Sequence, residues 1–120
     1  MKYTIVDALH SLKPGAEWVL RGTEYSGLEW LDKSQTKPTE VETTNKVAAL
    51  DAAEPMRLLR IERDRRIAKT DWRASVDLTI SNDWKAYRQA LRDLPASANP
   101  TLNSNGMLNM SSVTWPTEPT

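Results

Sequence analysis

Cysteine and phenylalanine are absent from this sequence of 120 residues, and histidine occurs once, as His10. The first absence excludes disulfides, thiolate zinc sites and cysteine nucleophiles. A lone imidazole excludes His-rich metal centres. No run approaches the roughly 18 consecutive apolar residues that a membrane-spanning helix needs. The opening Met1-Lys2-Tyr3-Thr4-Ile5-Val6-Asp7 lacks the apolar region of a signal peptide, so the expectation is a soluble cytoplasmic product or part of a larger particle. An excess of charge of one sign is missing too, since 16 Lys and Arg balance 16 Asp and Glu. The mean hydropathy of −0.58 is polar without the high net charge of a disordered chain. What is present is indole: five Trp and three Tyr supply all the large rings that can anchor a core or an interface. A chain of this length is expected to form one compact unit that buries about two thirds of its unfolded surface.

The balanced charge is unevenly spread. Residues 1–54 carry 6 basic and 9 acidic side chains, residues 55–93 carry 10 and 6, and beyond them only Glu118 is charged. The basic middle admits a nucleic-acid-binding reading of a helix over 57–73 through Arg57, Arg60, Arg63, Arg65, Arg66, Lys69 and Arg73. Glu62, Asp64 and Asp71 interleave with them, which favours a solvated or internally paired helix face.

The pattern predicts an α+β fold in three regions. Residues 1–36 read as a small antiparallel sheet of about three short strands: Thr4-Ile5-Val6, Glu17–Arg21 and Leu28–Leu31, with Trp18 and Leu20 sharing one face of their strand and Leu28 and Trp30 likewise one face of theirs. Residues 37–94 read as two to three helices. Thr39 and Glu42 form a capping box, and helical composition continues to about Ala53. Pro55 should start a second helix or kink the first, with the next segment running from Met56 to Lys69. Ser81 caps a further helix whose stripe is Trp84, Tyr87, Ala90, Leu91 and Leu94 and which Pro95 should end at Leu94. The helices 56–69 and 81–94 should pack antiparallel, because their connection is short. Residues 95–120 read as an irregular arm in which 17 of 26 residues are Pro, Asn, Ser, Thr or Gly, with Asn105-Gly106 as a type I′ hairpin signal. Trp115 has no apolar neighbours in sequence, so it must dock on its own domain or on a partner.

Catalytic machinery is hard to assemble. No phosphate-binding glycine loop is present, and no cofactor or metal site is expected. A nucleophilic triad would require His10, Ser11 and Asp7, and the neighbours His10 and Ser11 would point to opposite faces of a strand. Paired carboxylates would have to be Glu62 with Asp64 or Asp71 with Asp77, each set among arginines that make ion pairing the better account.

Three segments together carry a resemblance. They are Arg60-Ile61-Glu62-Arg63-Asp64-Arg65-Arg66-Ile67-Ala68-Lys69-Thr70-Asp71-Trp72, Trp84-Lys85-Ala86-Tyr87-Arg88-Gln89-Ala90-Leu91-Arg92-Asp93-Leu94-Pro95, and Val113-Thr114-Trp115-Pro116. In this order they resemble the phage tail assembly chaperone family over residues 55–119, and the last two are also similar to the caudoviral tail fibre assembly family. Family members usually carry a Leu pair where this chain has Arg66-Ile67, and residues 1–36 lie outside the motif. The resemblance implies a non-enzymatic protein of the virion tail or host cytoplasm. Its partners would be tail or tail-fibre proteins, bound transiently or as part of the finished virion. The motif residues Arg63, Asp64, Asp71, Trp72, Trp84, Tyr87, Arg88, Arg92, Asp93 and Trp115 serve as scaffold or as interface. The expected scaffold bond joins Arg63 or Arg92 to Asp71 or Asp93. Trp115, Pro116, Trp72, Arg88 and Arg92 are the candidate partner-binding residues.

Overall fold

The computed structural model describes residues 3–74 and 79–120. Its elements are α1 (Ile5–Leu12), β1 (Trp18–Leu20), β2 (Leu28–Trp30), α2 (Glu40–Ala68) and α3 (Asn82–Ser97), with 3₁₀ turns at Tyr25–Gly27, Asp71–Ala74 and Met110–Ser112. The architecture is α+β. The chain divides into two compact units, Met1–Glu54 and Pro55–Thr120, with the division inside α2.

In the first unit the expected strand at Thr4-Ile5-Val6 is instead the start of α1, so the sheet has two strands among the described residues rather than about three. The β-branched pair Ile5-Val6 is overruled by its surroundings. The Asp7 carboxylate accepts from the Thr4 amide at 2.9 Å and from its hydroxyl at 3.2 Å, which fixes the first turn. Ile5, Ala8, Leu9 and Leu12 then recur at helical spacing, with Ala8 and Leu9 fully buried. The helix stops at Lys13, because Pro14 disfavours helical geometry in the residue before it. β1 and β2 pair antiparallel with Trp18 opposite Trp30 and Leu20 opposite Leu28, so the expected alternation holds. Gly27 sits where a Cβ would collide with the Arg21 carbonyl, and its own carbonyl accepts from the Arg21 amide at 2.9 Å.

Asp32 closes the base of this hairpin. Its carboxylate accepts from the amides of Glu17 at 2.9 Å, Ser34 at 2.8 Å and Gln35 at 2.8 Å, and from the Ser34 hydroxyl at 2.9 Å. These four donors hold it down from 3.8 to about 2. The capping box opens α2 as expected: the Thr39 amide donates to Glu42 Oε1 at 3.0 Å, and the Glu42 amide to Thr39 Oγ1 at 3.1 Å.

Pro55 starts no second helix; α2 runs through it for 29 residues. The ring removes one backbone donor and crowds the preceding turn, but both neighbours are pinned. Glu54 is 2% exposed and takes the Tyr3 hydroxyl at 2.8 Å, and Leu59, one turn on, is fully buried. α3 likewise passes Pro95 and ends at Ser97 rather than Leu94. Leu94 is buried against Leu59 and Val113, and its carbonyl still accepts from the Ala98 amide at 3.0 Å. Tertiary packing outweighs the local preference in both places.

The C-terminal arm is irregular apart from one antiparallel bridge, Leu102 to Leu108, and the Met110–Ser112 turn. Asn105-Gly106 does make a chain reversal, though not a type I′ turn, which needs positive φ at both central residues. Only Gly106 has positive φ, and the Asn103 carboxamide oxygen accepts from the amides of Asn105 at 2.9 Å and Met107 at 3.1 Å.

Candidate functional site

The candidate residues all fall in the second unit, which is built on α3 and the part of α2 from Pro55 onward. Contacts between the helices run in opposite senses along the chain. Leu59 meets Leu94, Arg63 donates to the Arg92 carbonyl at 3.4 Å, and Arg88 donates to the Ile67 carbonyl at 3.4 Å. They are therefore antiparallel. Two apolar clusters fill the space, Leu59, Leu94 and Val113 in one and Trp84, Tyr87 and Leu91 in the other. Trp84 and Tyr87 meet edge to face at 5.7 Å.

Trp115 packs against both clusters, so the indole docks on its own unit. The Arg66 guanidinium lies over its ring at 4.1 Å and donates to Glu62 at 3.1 Å. The Arg66 charge thus covers an indole, while Ile67 packs on the Trp84 cluster. The Trp115 Nε1 is buried without an acceptor among the described residues.

Arg88 makes the bond that ties the turn after α2 to α3. Its Nη1 donates to Thr70 Oγ1 at 2.6 Å and to Asp71 Oδ1 at 3.0 Å. The expected bond from Arg63 or Arg92 to Asp71 or Asp93 is not the one made: Arg63 pairs with Asp64 at 2.7 Å, and Gln89 lies between Arg92 and Asp93. Neither suggested carboxylate pair is free for acid-base work. Glu62 takes Arg65 at 2.6 Å and Arg66 at 3.1 Å, which holds it down from 4.5 to about 2. Asp71 is taken by Arg88, and Asp77 lies outside the described residues. In the first unit Asp7 is engaged with Thr4, and His10 leans on the Trp18 ring at 5.4 Å. No group of three or more His, Asp or Glu among the described residues is placed to hold a metal, and no described helix is long and apolar enough to cross a membrane.

The five candidate partner-binding residues are spread over this unit, and no hydrogen bond joins any two of them. Trp115 and Arg88 sit inward as described, Arg92 is exposed on α3, and Pro116 lines a groove of about 550 Å³ with Asp83, Tyr87 and Ala90. Trp72 is 58% exposed. A residue that the sequence singled out only in the nucleic-acid reading accompanies it: the Arg73 guanidinium lies over Trp72 at 4.4 Å and over Trp84 at 3.8 Å. Nothing in sequence spacing announces this cluster, because Trp84 arrives through the tertiary fold.

Fold and site together define an antiparallel helix pair closed by its own C-terminal segment, with aromatic and cationic groups at the surface. Residues 56–120 match the family model for phage tail assembly chaperone protein. The chain belongs to that family, and the matched stretch is the second compact unit less Pro55. No curated protein and no solved structure matches the chain.

Proposed function

We propose that this protein binds a tail or tail-fibre component while the phage tail is assembled, acting by contact rather than by catalysis, in the host cytoplasm and on the nascent tail. The match of the second unit to an assembly chaperone family supports this reading most directly. The contact surface comprises Trp72, Arg92 and Pro116 from their exposed or half-exposed positions, with Arg88 and Trp115 holding the shape of the face. Release from the completed tail is the first form of the proposal, and retention as a structural tail protein is the second. The nucleic-acid reading is disfavoured by the engagement of Arg63, Arg65 and Arg66 with Asp64 and Glu62, since counterion release needs cations free to meet phosphates.

Co-expression with each tail and tail-fibre protein of the parent phage tests it. One of them should co-purify with this chain and gain solubility from it. Failure of every pair to associate would contradict the proposal.

A further inference from the structure

The geometry points to the Trp72-Arg73-Trp84 cluster as a receptor for a carboxylate side chain of the protein partner. This rests on the assembly reading above and names the chemistry that the partner would present. Arg73 makes no hydrogen bond or ion pair through its side chain with any described residue, in contrast to Arg63, Arg65, Arg66 and Arg88, each of which has a carboxylate at 2.6 to 3.1 Å. Its guanidinium face is instead held by two indoles at 4.4 and 3.8 Å. A guanidinium stacked this way has lost much of its rotamer freedom, and stacking uses the face while leaving the N–H edge, a rigid fork that matches a carboxylate.

The cleft beside it, about 290 Å³, is lined by Trp72, Arg73, Thr79, Ile80, Ser81 and Trp84. Among the described residues that lining holds donors and apolar groups and no carboxylate, so none of them supplies an acceptor for the Arg73 edge. The volume suits one side chain and lies at the lower edge of what small-molecule sites occupy. The exposed Trp72 ring and Ile80 give the aliphatic part of an acidic residue, or its apolar neighbour, a surface to cover. A polynucleotide would need a row of unpaired cations, whereas Arg63, Arg65, Arg66 and Arg88 each already meet a carboxylate.

The test is a titration of the full-length, isotope-labelled chain, reading the Arg73 Nε–H and the Trp72 and Trp84 indole N–H resonances. The probes are an Ala-Leu-Glu-Ala peptide with both ends blocked, its Gln counterpart, and a short single-stranded DNA. The Glu peptide should shift these signals saturably and bind about tenfold more tightly than the Gln peptide, the difference expected between a charge-assisted and a neutral hydrogen bond. Arg73→Gln should abolish that preference. Arg73→Lys, which keeps the charge and the fold but not the planar fork, should lose most of it, and Trp72→Ala should weaken binding. Equal response to the Glu and Gln peptides, no response to either, or tighter binding of the DNA near physiological salt would overturn the assignment. If the chain still co-purifies with a tail protein in that event, the assembly role stands and only this site falls.

Discussion

At Arg88, one guanidinium nitrogen meets the Ile67 carbonyl, the Thr70 hydroxyl and the Asp71 carboxylate, and the Thr70 it reaches is 2% exposed. Arg88→Ala leaves that hydroxyl without its donor and should lower unfolding free energy by about 2 kcal/mol, read as a lower urea midpoint. No change in midpoint would mean that the bond contributes nothing net. Glu62 makes a prediction about acid. Its carboxyl lies at about 2 in the folded chain against an ordinary 4.5. The ion cluster therefore contributes stability that is complete above about pH 4.5 and is lost as pH falls toward 2. Asp32, down from 3.8 to about 2, adds a loss in the same acid region. Glu62→Gln should flatten part of the acid limb in urea midpoints measured from neutral pH downward, and curves parallel to wild type would contradict it. The Thr39–Glu42 box was legible in the sequence because both partners lie within one turn. Which arginine would hold Asp71 was not, because several lie within reach and the turn geometry after α2 decides among them.

Helix boundaries show where local rules yield to packing. Pro55 read as a helix start or a kink and Pro95 as a helix end, and both lie inside helices, since Glu54, Leu59 and Leu94 are held by contacts distant in sequence. At Pro55 the helix keeps a residue that lacks a donor for the Asp51 carbonyl, so Pro55→Ala should stabilise it by about 1 to 3 kcal/mol. Thermal unfolding followed by circular dichroism would show a raised midpoint; a lowered one would mean that the proline geometry itself is needed for packing. In the C-terminal arm Trp115 packs against both clusters beside the buried Val113. Trp115→Ala should cost about 3 kcal/mol through the space it leaves between two clusters. Trp115→Phe should cost less, since it also removes a buried donor that has no acceptor. Equal losses in the two variants, compared by denaturant melts, would contradict this account of the arm. α1 was hidden because Ile5-Val6 carries a strand signal, although Thr4 and Asp7 offered a helix start in the same stretch. The stripe of α3 was plain, because Trp84, Tyr87, Leu91 and Leu94 repeat at helical spacing and all four are buried.

For the molecule as a whole, the family was legible in the three segments of residues 60–72, 84–95 and 113–116, and the match over 56–120 carries that reading. The juxtaposition of Trp72, Arg73 and Trp84 was not, because it depends on how the chain returns from α2 to α3. The central claim is that this chain works on the tail during assembly and leaves it. Quantitative mass spectrometry of tail-assembly intermediates from infected cells and of purified virions tests that claim most directly. The account predicts the chain bound to a tail or tail-fibre protein in the intermediates and absent from the finished particles. Stoichiometric copies in the virion would contradict release and make it a structural tail protein, and absence from both fractions would contradict the assembly role itself.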